Sequence, residues 1–134
     1  NKRYLDQANH IADFILNHPN LPKDKIPYWD FNAPDIPNAL RDASAASIIA
    51  SSLIELSQFV GEPRKSQYIA VAEKQLRTLA SPEYTAKKGT NGCFILKHGV
   101  GHLPGDSEVD VPLTYGDYYY VEALMRYKKM ILNK

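Results

Sequence analysis

The sequence predicts an all-α chain: four helices, antiparallel in succession, with both long loops at the same end of the stack. Three observations lead there. Four stretches place apolar residues at helical spacing, the connections between them run long, short and long, and the second stretch carries no charge at all from Ala43 to Ile54.

In the first helix Tyr4, Leu5, Ala8, Ile11, Ala12 and Ile15 share one stripe. It should stop before Pro19, because the residue preceding a proline avoids the helical region. The connection that follows is rich in prolines and aromatics: Pro22, Pro27, Tyr28, Trp29, Phe31, Pro34 and Pro37. The second helix is expected from about Asp42 to Phe59, with Asp42 or Ser44 as N-cap and Gly61 near its end. The third covers Arg64 to Ala80, with Tyr68, Ile69, Ala72, Leu76 and Leu79 on one face, and Pro82 closes it. The fourth opens near Gly116 or Asp117 and runs to Leu132. Arg126, Lys128 and Lys129 fall in its last turns, where cations offset the helix dipole.

Loops as long as the first and third are uncommon unless they serve a function or lack order. With the connections alternating in length, both emerge at one end, so a helix–long loop–helix unit is used twice. Inside the third connection, Gly92 to His98 reads equally as a short glycine-bounded strand or as loop, and Asp106 to Asp110 reads as solvated loop. The charge-free second helix belongs inside a layered stack, and its pattern fits best if helices beyond these four flank it.

Composition removes several classes of function. The chain has 134 residues, 44% hydrophobic and 23% charged, as a folded globular chain should. Sixteen basic residues against fifteen acidic ones give +1, which offers no electrostatic case for nucleic acid. No apolar run approaches the roughly 20 residues of a membrane-spanning helix. The single Cys93 has no partner for an intrachain disulfide. Asn1-Lys2-Arg3-Tyr4 is no signal peptide and reads as the edge of a helix, so the expectation is a piece of something larger.

No complete catalytic set emerges from spacing. His98 and His102 mimic a helical zinc pair, but Gly99 and Gly101 between them argue against a helix and the metalloprotease glutamate is missing. The alternatives are histidines bonded to loop carbonyls, or a glycine-freed backbone that turns His102 into a pocket. Asp106, Glu108 and Asp110 alternate as calcium ligands do, without the spacing of an EF-hand loop. A glycosidase needs two carboxyls about 5–9.5 Å apart. Asp42 and Glu55 on the second helix would lie roughly 20 Å apart, and Asp117 and Glu122 point to different faces of the fourth. Asp42 and Asp117 both sit where N-caps belong. Tyr28-Trp29-Asp30-Phe31 has an aromatic face for a sugar ring and an acceptor for its hydroxyls; the competing reading is a loop anchored by its aromatics. Tyr115-Gly116-Asp117-Tyr118-Tyr119-Tyr120 opens the fourth helix, and three consecutive tyrosines span all its faces, so some must be core. No serine sits in a nucleophile elbow.

Several motifs in order resemble the C-terminal part of glycoside hydrolase family 88, the unsaturated glucuronyl hydrolases. They are Pro27-Tyr28-Trp29-Asp30-Phe31, Leu40-Arg41-Asp42-Ala43-Ser44-Ala45-Ala46, Leu53-Ile54-Glu55-Leu56, Phe94-Ile95-Leu96-Lys97-His98-Gly99-Val100-Gly101-His102, and Tyr115-Gly116-Asp117-Tyr118-Tyr119-Tyr120-Val121-Glu122-Ala123-Leu124-Met125-Arg126. The resemblance covers nearly the whole chain. It implies that residues 1–134 are one segment, the last third of an (α/α)6 barrel, with helices one and three outer and two and four inner. It also implies that the two essential aspartates lie earlier in the barrel, expected upstream. The family's substrates are oligosaccharides bearing a 4,5-unsaturated uronic acid left by polysaccharide lyases. An aspartic acid protonates the vinyl ether and activates water, the ring opens, and the neighbouring sugar leaves. No metal or other cofactor is implied, and no nucleic acid or membrane partner. His102 matches a histidine of the sugar pocket, although Gly101 stands where some members have tyrosine. Trp29 and Asp30 match a family motif, and with Tyr115 at the opening of the fourth helix they complete the candidate substrate-binding set. The competing readings are the unsaturated rhamnogalacturonyl hydrolases of family 105, which share fold and chemistry, and a non-catalytic carbohydrate-binding or structural helical domain.

Overall fold

The computed structural model describes residues 1–133. It contains α1 (Lys2–Leu16), α2 (Ala43–Leu56), α3 (Arg64–Leu79) and α4 (Thr114–Tyr127), the last running on into a π-helical stretch, Lys128–Leu132. Short 3-10 turns at Asn91–Cys93 and Leu103–Gly105 punctuate the third connection, and there is no strand among the described residues. The stretch from Gly92 to His98 is therefore loop, touching Thr85 through a single bridge at Leu96. Gly92, Cys93 and His98 sit at φ of 61°, 68° and 62°, left-handed positions that interrupt an extended run.

Helix ends follow local chemistry. The Asn1 side chain accepts from the Arg3 amide to open α1, and Asp42 accepts from the Ser44 amide at 2.9 Å to open α2. α2 stops at Leu56, short of Phe59; the Ser57 hydroxyl bonds back to the Ile54 carbonyl at 2.7 Å. α4 begins at Thr114, ahead of the expected start, and Asp117 does not cap it: Leu113 holds the cap position without a side-chain bond. The capping reading of Asp117 is thus overturned, because its carboxylate is spent elsewhere, as described below.

The core sits where α2 meets α3 on one side and α4 on the other. Ala43, Ala46, Ala50, Leu53 and Ile54 of α2 pack with Tyr68, Ala72, Leu76 and Leu79 of α3, and with Tyr120 and Ala123 of α4. The short connection makes α3 antiparallel to α2. α4 then runs parallel to α2: Ser44 and Ser47 lie against Gly116, Ser51 against Glu122, and Glu55 against Arg126. Small residues permit this close approach. A Cβ on Gly116 would lie 3.2 Å from the Ser44 Cβ, tighter than ordinary packing. The buried serines need partners. Ser47 donates to the Ser44 and Gly116 carbonyls, and Ser51 donates to Glu122 at 2.5 Å.

Two apolar faces are left uncovered. On α1 only Asn9 and Ala12 are buried; of the predicted stripe Leu5, Ala8 and Ile15 are half-buried, while Tyr4 is 75% and Ile11 52% exposed. A groove of about 440 Å³ between α1 and α2 is lined by Ala8, Ile11, Ile15, Ile48, Ile49 and Phe59. On the far side, α4 presents Tyr118, Val121, Leu124 and Met125 to solvent. Of the three consecutive tyrosines, Tyr120 is core and Tyr118 is outside.

Candidate functional site at the N-terminal ends of the parallel helices

Because α2 and α4 run the same way, their N-terminal ends lie together, and both long loops return there. The first loop is tied down at 27–29: the Trp29 amide donates to the Leu40 carbonyl at 3.0 Å and the Asp42 amide to the Pro27 carbonyl at 2.9 Å. Arg41 reinforces this pairing. It donates to the Ile26 carbonyl, pairs with Asp24, and lies 5.1 Å from the Tyr28 ring centroid. Trp29 is half-buried on that fixed segment. The neighbouring residues anchor the loop: Asp30 closes its own turn by accepting from the Asn32 amide at 2.7 Å, and Phe31 stacks on His18 at 4.4 Å.

The second loop folds back on itself as an irregular hairpin. Gly99 and Val111 exchange backbone bonds, the Gly101 amide donates to Glu108, and the His102 amide to Ser107. Its root is fixed to α2, where the Ala43 amide donates to the His98 carbonyl at 3.0 Å and the Val100 amide to Asp42 Oδ1 at 3.3 Å. Asp42 is thus both helix cap and loop tether. Gly101 has no room for a side chain: a Cβ there would overlap the Glu108 carboxylate. The Glu108 carboxylate, from the opposite arm of the hairpin, fills the space beside it.

His102 is exposed on that hairpin, and Tyr115 stands 40% exposed in the first turn of α4. Burial pushes the Tyr115 hydroxyl pKa up, and the negative charges of Glu108 and Asp42 push it further, against a hydrogen bond with Ser44. Tyr115 is therefore a neutral phenol near pH 7, suited to donating to an acceptor. His98 has partners of its own. Its Nδ1 lies 2.7 Å from Asp110 and its ring meets Tyr84 edge-on, so its partner is a carboxylate, where one sequence reading had a loop carbonyl. No group of His, Cys, Asp and Glu suited to a metal ion occurs among the described residues.

Four of the carboxylates at this end serve backbone or loop contacts: Asp42 and Asp30 accept from amides, Asp110 faces His98, and Asp117 takes two loop amides, while the Glu108 carboxylate lies exposed over Gly101. The same end also carries the half-buried Trp29 indole, the exposed His102 imidazole and the neutral Tyr115 phenol. Asp117 and Glu108 were missed as participants by sequence reasoning. The partners of Asp117 lie in the preceding loop, outside any helical spacing; a glycine directly before His102 was the one local hint that another side chain fills that space.

No family model matches the chain. It is 47% identical to an unsaturated glucuronyl hydrolase of Formosa agariphila over 99% of its own length, and 36% identical to an unsaturated chondroitin disaccharide hydrolase of Streptococcus pyogenes over 89%. Its backbone superposes on a crystal structure of an unsaturated glucuronyl hydrolase specific for heparin with a TM-score of 0.93 and 52% identity, covering 96% of this chain. The enzyme from Bacillus sp. GL1 follows at 0.85 and 30%. This chain belongs to the unsaturated glucuronyl hydrolase family. It spans about a third of the relatives it matches, 32% of the Formosa protein and 34% of the heparin-specific one. Unsaturated glucuronyl hydrolases form (α/α)6 barrels, and the four helices here correspond to a third of one. The alternation inferred from loop lengths is the barrel's own, with α2 and α4 as parallel neighbours.

Proposed function

We propose that this chain is the C-terminal segment of a hydrolase that removes 4,5-unsaturated uronic acid from lyase-generated oligosaccharides by hydrating the vinyl ether. The observation that carries this is the match in sequence and backbone, over most of this chain, to relatives named unsaturated glucuronyl hydrolase and unsaturated chondroitin disaccharide hydrolase. In this reading residues 1–134 form one segment of a larger barrel, and the preceding helices cover the open stripe of α1 and the outer face of α4. Burying apolar surface of that kind stabilises by about 25 cal/mol per Å², which gives both faces a reason to exist.

The division of labour is the one the family resemblance implies. General acid work on a vinyl ether needs a protonated carboxyl held beside the reacting carbon. Asp42, Asp110 and Asp117 are engaged in holding loops, and the resemblance puts the acid and its essential partner in the rest of the barrel. This segment supplies the binding wall. Trp29 stacks on a sugar face, Tyr115 donates to an oxygen, and His102 bonds a hydroxyl or carboxylate. Asp30, although closing its own turn, keeps a carboxylate exposed beside Trp29 for a sugar hydroxyl. A disaccharide bearing the unsaturated uronate is the substrate class; relatives include enzymes named for heparin and for chondroitin disaccharides. The rhamnogalacturonyl alternative has no counterpart among these relatives.

The test is the reading frame upstream of Asn1. Two aspartates in helix-end motifs, each abolishing turnover of an unsaturated disaccharide when changed to asparagine, support the proposal. A full-length protein lacking them, or indifferent to their loss, overturns it and leaves a non-catalytic helical domain.

A further inference from the structure

A carboxylate near the start of a helix ordinarily caps that helix's own amides. Asp42 does so; Asp117 does not. Both Asp117 oxygens leave α4 for the preceding loop: Oδ2 accepts from the Ile95 amide at 2.7 Å and Oδ1 from the Leu96 amide at 2.8 Å. The other edge of that segment is held by residues 84–86. The Ala86 amide donates to the Ile95 carbonyl at 2.9 Å, and the Lys97 amide to the Tyr84 carbonyl at 2.8 Å. Immediately downstream the backbone is pinned to α2 at His98 and Val100, and then it forms the arm that carries Gly101 and His102. The loop is therefore fastened in sequence order, first to α4 by Asp117 and then to α2 by Asp42.

We propose that Asp117 is a positioning residue: its carboxylate joins α4 to the Ile95–Leu96 backbone, and through that join it sets where Gly101 and His102 stand over the paired helix ends. This rests on the reading of His102 as a substrate contact. A carboxylate suits the task because it accepts two amides at once, and the first turn of α4 favours its negative charge. Asp117→Asn keeps the size and one acceptor but turns an NH2 group toward the second amide, replacing a charge-assisted bond with two opposed donors.

The experiment measures kcat and KM on an unsaturated disaccharide for the full-length hydrolase, Asp117→Asn, His102→Ala and the double variant, with melting temperatures alongside. Asp117→Asn is expected to raise KM about tenfold with kcat within about twofold, the size set by one lost charge-assisted bond. In the His102→Ala background the same change should add less than about twofold, since both act through one contact. A lowered melting temperature with unchanged kinetics, or fully multiplicative effects in the double variant, overturns the proposal. A silent Asp117→Asn beside an impaired His102→Ala also overturns it, while leaving the site intact. A silent His102→Ala beside a raised KM in Asp117→Asn removes the histidine contact instead and leaves the positioning of the loop standing. If Asp117→Asn does not fold, Asp117→Ser, too short to reach either amide, is read in the same way.

Discussion

Replacing Gly116 by alanine tests whether the parallel packing of α2 and α4 is as tight as it looks. Two effects oppose each other. Alanine in a helix is favoured over glycine by about 1 kcal/mol. Against that, the new Cβ would stand 3.2 Å from the Ser44 Cβ and 3.5 Å from its Cα, atoms that cannot swing away as the tip of a long side chain would. Overpacking of this kind costs about 1–3 kcal/mol, so the net change is about 0–2 kcal/mol unfavourable. Gly61→Ala is the control, because nothing lies within 4 Å of the Cβ it would add. There the loss of chain freedom in the unfolded state should stabilise by about 0.4–1 kcal/mol. Thermal melts of the two variants in the full-length protein should therefore move in opposite directions, or Gly116→Ala should stay flat while Gly61→Ala rises. If Gly116→Ala stabilises as much as Gly61→Ala, the helices have slack at their N-terminal ends and the account of how the loops are placed there is wrong.

His102→Ala should weaken binding of an unsaturated disaccharide, seen as a raised KM or Kd, with circular dichroism and melting temperature nearly unchanged, because the ring is exposed and supports no core contact. Tyr84 gives a pH signature. Burial lifts its pKa to about 12 from 10, so the folded state holds this proton more tightly than the unfolded chain does. The resulting stability is fully present below pH 10 and is lost as pH rises through 12, by about 3 kcal/mol at most. Tyr84→Phe should flatten that alkaline decline in melting temperature; a decline unchanged by the substitution would assign it to other groups.

Much of the fold was legible because helices announce themselves by periodicity and punctuation. Asp42 as a cap, Pro19 and Pro82 as stops, and the charge-free face of α2 are local signals, and each corresponds to an observed feature. The alternation of loop lengths carried the topology, because a short link allows only an antiparallel neighbour. What escaped was long-range. Asp117 looks like a cap in sequence, and only the return of the loop at Ile95 and Leu96 gives it two better partners. The possible strand over Gly92 to His98 failed on left-handed residues at Cys93 and His98, which no propensity marks in advance. The stripe of α1 reads as apolar in the sequence, and in the structure Tyr4 and Ile11 on it stay exposed.

The most direct measurement compares the full-length protein with this 134-residue chain, purified separately, as each is mixed with an unsaturated glycosaminoglycan disaccharide and the ultraviolet absorbance of the conjugated double bond is followed. The full-length protein should abolish the absorbance and release the neighbouring sugar, while this chain alone leaves both unchanged, because the proposed reading puts the general acid and its partner outside residues 1–134. Turnover by the isolated chain, or none by the full-length protein, would contradict the account.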